Sequence, residues 1–191
     1  MEAVYVDQHY DLVVECRNGS RKAHNDLYKL YSRAMYNIAM RILNNEDEAA
    51  DVLQEAFIDA FGRIGDFRQE TTFGLWMKQI VINKSISQIR KRKMELVSID
   101  DTDVETIPDI EIPDHEEMEL QVRQVRAAIQ QLPGGYRVVL TLYLLEGYDH
   151  EEISHILRIS VNTSRTQFMR ARRKLAEILR TRGISYNQNF K

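Results

Sequence analysis

Apolar residues recur at intervals of three and four along nearly every long stretch of this chain, and a strict alternation of apolar and polar residues is nowhere sustained. That periodicity lines one face of an α-helix and does not suit half-buried strands. Eight glycines and three prolines among 191 residues leave few points at which a helix must break. An all-α fold follows. One segment departs from the pattern: from about Met94 to His115 the chain holds Pro108 and Pro113, a dense series of acidic side chains and little that could build a core. It reads as a flexible acidic linker, residues 94–118, joining two small helical domains at 1–93 and 119–184, with a tail over 185–191.

Charge is segregated along the same boundaries. Residues 94–119 carry eleven acidic side chains and no Lys or Arg, whereas residues 120–191 carry twelve basic against five acidic. The net charge of −3 therefore conceals a basic C-terminal region, a distribution that suits a nucleic-acid partner. No apolar run approaches the roughly 20 residues needed to cross a bilayer, and the N-terminus lacks a basic start followed by an apolar stretch. The expectation is a cytoplasmic protein without membrane insertion. Cys16, the single cysteine, cannot form an internal disulfide and has no Cys or His at metal-ligand spacing, so it reads as a packing residue.

In the first domain, Leu27, Leu30, Tyr31, Ala34, Ile38 and Ile42 predict one amphipathic helix. A second begins after Asn45, where Asn45 and Glu48 resemble a capping box, and buries Val52, Leu53, Ala56, Phe57, Ala60, Phe61 and Ile64. On its other side Asp51, Gln54, Glu55 and Asp59 form an acidic ridge. A third helix, about Thr72 to Lys93, has apolar residues on two sides: Leu75, Ile82, Ile86 and Ile89, and Phe73, Trp76, Met77 and Ile80. Between them runs a ridge of Trp76, Gln79, Asn83, Ser87 and Arg90, followed by the basic run completed by Lys91, Arg92 and Lys93. Bases could stack on the ring while phosphates pair with the cations, as single-stranded nucleic acid requires. A Trp at helical spacing equally suits a core, and cations at a helix C-terminus also complement its dipole.

The second domain predicts a helix-turn-helix: a short helix from Asp149 to Leu157, a turn Arg158-Ile159-Ser160, and a long helix from Val161 to about Arg180 capped by Ser160. Val161, Ser164, Phe168, Ala171, Leu175 and Ile178 supply the buried stripe. Asn162, Thr163, Arg165, Thr166, Met169, Arg170 and Arg173 are left for the other face, where Asn and Arg can reach base edges in a major groove and later arginines can reach phosphates. The turn position held by Arg158 often needs positive φ, and Ser164 places a hydroxyl on the buried stripe, where it can bond back to a helix carbonyl. A helical bundle with a basic outer face would share this pattern.

Three strings carry a more specific signal: DEAADVLQEAFIDAF at Asp47–Phe61, FGLWMKQIVINKSISQIRKRK at Phe73–Lys93, and LPGGYRVVLTLYLLEGYDHEEISHILRISVNTSRTQFMRARRKLAEIL at Leu132–Leu179. In order and spacing they resemble the two domains of extracytoplasmic-function sigma factors of the sigma-70 family, over roughly three quarters of the chain. The resemblance implies a bacterial transcription initiation factor that directs RNA polymerase to promoters. It implies that Asp51, Gln54, Glu55 and Asp59 dock on the polymerase β′ clamp. By the same token the ridge from Trp76 to Lys93 melts and captures the minus-ten element, with Asn83 near a flipped base. The helix from Val161, with Asn162, Thr163, Arg165, Thr166, Arg170 and Arg173, reads the minus-thirty-five duplex. Implied partners are core RNA polymerase through its β′ and β subunits, promoter DNA and an anti-sigma factor. Ser87 stands where the family usually has Asp, and Arg158 and Ser164 where it usually has Gly and Val.

Two other classes compete on the residues alone. A two-domain helix-turn-helix repressor or activator that binds duplex DNA without polymerase explains residues 132–180 but leaves both first-domain ridges without a role. An enzyme has little to draw on. His150 and His155 lie roughly 140° apart round a helix and cannot share a metal. Asp51 and Glu55 lack the His partner that di-iron bundles place beside their carboxylates. The expectation is no catalytic residue, no metal and no cofactor.

Overall fold

Ser20 shows how local chemistry starts the helices: its hydroxyl accepts the Ala23 N–H at 3.3 Å, relieving one of the unpaired amides at the head of a 23-residue helix. The computed structural model describes residues 7–96 and 117–182, and the chain divides into two units. The first contains α1 (Tyr10–Arg17), α2 (Arg21–Leu43), α3 (Glu46–Gly62) and α4 (Phe73–Leu96), with a 3-10 turn at Ile64–Asp66. The second contains α5 (Glu117–Gln130), α6 (Gly134–Leu140), a π-helical turn at Thr141–Leu145, α7 (His150–Leu157) and α8 (Val161–Thr181). No strand occurs among the described residues, in keeping with the all-α expectation. Nor, among them, is any helix long and apolar enough to cross a membrane.

In the first unit α2, α3 and α4 pack against one another in all three pairings, and α1 lies on α2. Leu27, Ile38 and Ile42 of α2 are buried as expected, but Leu30 is 50% exposed and Ala34 is also exposed; Met35, Ala39 and Leu43 fill the core instead. On α4 the inward residues are Phe73, Met77, Val81, Ile82, Ser85 and Ile86, while Leu75 is 44% exposed. Two apolar stripes offered two possible inner faces, and the neighbours chose a path between them. Ser85 is tolerated there because its hydroxyl donates to the Val81 carbonyl at 2.8 Å. The helix α1 has only Val13 and Cys16 buried, too few inward positions to announce itself by periodicity. Burial pushes the Cys16 thiol up to about 11, with Glu15 adding to the shift, so it packs in its thiol form.

Cations tie the loops of both units. Arg17 donates from Nε to the Ile64 carbonyl at 3.1 Å and from Nη2 to the Phe67 carbonyl, holding the end of α1 against the turn after α3. In the second unit, Arg137 is 2% exposed and its Nη1 donates to the carbonyls of Leu132 at 2.9 Å and Gln130 at 3.3 Å. A buried guanidinium there satisfies the carbonyl of the last residue of α5 and that of Leu132 in the turn that follows. Ala128, Ile129, Leu132, Leu140, Ala171, Leu175 and Leu179 then form a core in which α8 is packed by α5 and α6.

The linker expected at 94–118 meets helix at both ends: α4 continues through Leu96 and α5 starts at Glu117. Residues 97–116, which carry most of that acidic segment, and the tail at 185–191 lie outside the described residues.

Candidate nucleic-acid interface

The acidic ridge is set by the cap that starts α3. The Asn45 side chain accepts the Glu48 N–H at 3.0 Å, and Glu46, Asp47 and Glu48 occupy the first turn, where the helix dipole favours negative charge. With Val52, Leu53, Ala56, Phe57 and Ala60 inward, Asp51, Gln54, Glu55 and Asp59 are all exposed. Two of these carboxylates have a partner that the sequence did not single out. Lys84 of α4 lies 2.8 Å from Asp59 Oδ2 and 3.3 Å from Glu55 Oε2. The hydrogen bond to Asp59, opposed in part by burial, holds the ammonium above its ordinary range. Glu48 is met in the same way by Gln88 at 3.4 Å and Arg92 at 3.9 Å, so one side of α4 is bound to the acidic helix. Such pairs cross between helices, which is why no spacing along the chain reveals them.

The α4 ridge begins at a crowded N-terminus. Asp7 Oδ2 accepts the Phe73 N–H at 2.6 Å, and Thr72 Oγ1 accepts the Leu75 N–H at 3.3 Å. A Cβ on Gly74 would lie 2.8 Å from the Tyr31 ring, so a larger residue would displace that ring from its place between α2 and α4. Trp76 is half-buried, with its ring centroid 5.4 Å from that of Phe67 and 5.8 Å from that of Phe73. The aromatic end of the ridge is therefore shared between protein core and solvent, because an indole next to two phenyl rings gains more from their contact than from full hydration. Gln79, Asn83, Ser87 and Lys91 are exposed, Arg90 and Arg92 half-buried, and the side chain of Lys93 lies outside the described residues. Ser87 donates its hydroxyl to the Asn83 carbonyl at 2.8 Å, leaving the Asn83 amide as the polar group projecting at mid-ridge.

The helix-turn-helix has caps at each junction. Asp149 accepts the Glu151 and Glu152 N–H groups, each at 2.8 Å, while Glu152 accepts the Asp149 N–H at 2.8 Å, a complete capping box. Arg158 closes α7 in the left-handed region, at φ 55°, as expected for the turn. Ser160 then caps α8 by accepting the Thr163 N–H at 3.0 Å. Ser164, Phe168, Ala171, Leu175 and Leu179 face inward, and Asn162, Thr163, Arg165, Thr166, Met169, Arg170 and Arg173 are exposed. The hydroxyls of Thr163 and Thr166 are engaged, with Ser160 Oγ at 2.8 Å and with the Asn162 carbonyl at 2.8 Å. On this face the Asn162 amide and the guanidiniums of Arg165, Arg170 and Arg173 are thus turned to solvent.

Ser164, whose hydroxyl could bond back to its own helix, instead has a partner on α7. Its hydroxyl lies 2.9 Å from Nδ1 of His150, the first residue of α7. The imidazole stacks on Tyr143, with centroids 4.6 Å apart, and meets Phe168 edge-on at 5.6 Å. Burial lowers the affinity of this ring for a proton, Arg165 lowers it further, and Asp149 opposes both. The pairing of His150 with a serine fourteen residues on is a tertiary contact that no spacing along the chain announces.

Two family models match separate stretches of the chain. The family model described as Sigma-70 region 2 matches residues 27–95, covering α2 to α4, and that described as Sigma-70, region 4 matches residues 122–175, from α5 into α8. The chain is 31% identical over 185 residues to the RNA polymerase sigma-H factor of Pseudomonas aeruginosa, spanning 91% of this chain and 94% of that protein. It is 30% identical over 179 residues to the ECF RNA polymerase sigma factor SigW of Bacillus subtilis, spanning 88% and 95%. Among solved structures, the sigma factor RpoE in complex with the anti-sigma factor NepR from Bartonella quintana shares the fold, with a TM-score of 0.58 at 24% identity over 82% of this chain and 96% of that one.

Proposed function

The chain belongs to the sigma-70 family of RNA polymerase sigma factors, in its ECF group, and is a promoter-directing initiation factor; from that premise we propose how its residues divide the work. The first domain, 1–93, docks on core polymerase and opens the minus-ten element, and the second, 119–184, reads the minus-thirty-five duplex. The linker, 94–118, sets the spacing between the two. The observation that carries this reading is the joint presence, in one chain, of an exposed acidic ridge on α3 and a helix-turn-helix that turns Asn162, Arg165, Arg170 and Arg173 of α8 to solvent.

Asp51, Gln54, Glu55 and Asp59 present a carboxylate-rich, helical surface to a basic partner, and the β′ clamp of polymerase is the partner proposed. On α4, Gln79, Asn83 and Ser87 meet the unpaired strand, with the free part of the Trp76 ring as a stacking platform and Arg90, Lys91, Arg92 and Lys93 near phosphates. Unpairing a base costs a few kcal/mol, which stacking and a polar pocket offset. On α8, Asn162 and Arg165 reach base edges while Thr163, Thr166, Arg170 and Arg173 contact the backbone. Neither DNA contact needs to be strong alone, because polymerase tethers both and makes the second binding event intramolecular. The protein acts on polymerase in the cytoplasm without catalysing a reaction, and an anti-sigma factor that covers its polymerase-binding surface regulates it.

Run-off transcription with core RNA polymerase on a library of promoter fragments tests the reading. Start sites that appear only when the protein is added, and that share two spaced elements, are expected. DNA binding by the protein alone with no stimulation of polymerase would overturn it in favour of a repressor.

A further inference from the structure

The contact between His150 and Ser164 has no role in the reading above, although it joins the two helices of the helix-turn-helix at the point where α8 begins. Ser164 is fully buried on the inner face of the first turn of α8, flanked in sequence by Thr163 and Arg165, whose side chains are exposed on the outer face. Its hydroxyl is 2.9 Å from His150 Nδ1. The imidazole is in turn fixed by two rings: Tyr143, from the π-helical turn, stacks on it at an interplanar angle of 23°, and Phe168, one turn further along α8, meets it at 68°. Tyr143 also touches Phe168 directly, with centroids 4.4 Å apart. The imidazole thus has little freedom, and the one directional contact it makes is to the helix that carries the base-reading groups.

An aliphatic residue at 164 would hold α8 by dispersion alone, which resists separation but is nearly indifferent to small rotation about the helix axis. A hydrogen bond weakens steeply as its angle departs from linearity, so it selects one rotation. The rotation of this first turn decides where Asn162 and Arg165 point, and bidentate contacts to base edges tolerate little misplacement.

We propose that His150 and Ser164 form a positioning clamp that sets the rotation of α8 and thereby the selectivity of minus-thirty-five readout. The clamp rests on the reading of α8 as the duplex-reading helix. His150 is a positioning residue in it, acting on DNA only through Ser164 and the turn that Ser164 belongs to.

The test uses the full chain with core polymerase and run-off transcription from a preferred promoter and from its single-base variants at each element. His150→Phe keeps the ring stack and removes the hydrogen bond, Ser164→Ala removes the other partner, and His150→Asn restores a polar atom close to the position of Nδ1. Each single loss should reduce discrimination among minus-thirty-five variants about fivefold, the scale of one hydrogen bond's net contribution, and leave minus-ten discrimination unchanged. The double variant His150→Phe/Ser164→Ala should be no worse than either single one, and His150→Asn should recover most of the loss. Unchanged minus-thirty-five discrimination in both single variants, additive losses in the double one, or an equal loss at both elements overturns the clamp. Arg165→Ala serves as the separate arm. If it too leaves minus-thirty-five discrimination intact, α8 does not read the duplex there and the clamp falls with that reading; if it alters discrimination while His150→Phe does not, only the clamp falls.

Discussion

His150 shows how much one side chain can depend on neighbours remote in sequence. Packed against Tyr143 and Phe168 and close to Arg165, it takes up a proton less readily than the ordinary histidine value of 6.5. The folded domain therefore binds fewer protons than the unfolded chain as pH falls through that value. Stability is undiminished above it and declines below it, since protonation draws the chain towards the unfolded state. Urea melts at about pH 7.5 and about pH 5.5 should show the midpoint falling on acidification, and His150→Phe should make that fall smaller. An equal fall in the variant would show that other groups carry the pH dependence. The residue was legible as a histidine at the head of a short helix. Its ring stack and hydrogen bond were not, because neither follows from spacing within one helix.

At the scale of the element, the helix boundaries follow local chemistry closely. Ser20, Asn45, Asp149 and Ser160 each accept a hydrogen bond from an amide in the first turn of the helix they precede, and each is a residue type that does so. Arg158 is the exception, holding a left-handed conformation at the end of α7 that costs an L-residue about 1–2 kcal/mol. Arg158→Gly should stabilise the protein by about 0.5–1 kcal/mol, the relief of that strain less the greater freedom glycine adds to the unfolded chain. Chemical denaturation checks this: a midpoint that moves down rather than up would mean that the arginine side chain contributes more than its backbone costs. The inward faces were less legible than the ends. For α4 the periodicity offered Leu75 with Ile82, or Phe73 with Met77, and the core takes the second pair together with Ile82, leaving Leu75 in solvent. With apolar groups on both sides of a helix, its own pattern cannot rank them; the shapes of α2 and α3 do.

At the scale of the whole molecule, the acidic ridge is part of a network that crosses from α3 to α4. Lys84 is shared by Glu55 and Asp59, both substantially exposed, and exposed pairs of this kind contribute little to stability. Glu55→Arg should therefore leave the protein folded, with Lys84 retained by Asp59, while weakening association with core polymerase about tenfold or more, because like charges would now face each other across the interface. A binding titration against core polymerase, with DNA binding by the second domain as the control, checks this. Undiminished affinity would remove Glu55 from the docking surface.

The sequence alone determined the helical class, the two domains with an acidic stretch between them, the caps at Asn45 and Ser160, and the polar faces of α3 and α8, since each depends on residues within a few positions of one another. Three contiguous strings also sufficed to identify the family. Only the tertiary structure decided that Trp76 is half inside, that Lys84 neutralises part of the ridge, and that Ser164 bonds to His150 rather than to its own helix. These are contacts between elements far apart in the chain. Periodicity specifies which side of a helix is polar, whereas the partner that meets it is set by how the helices pack.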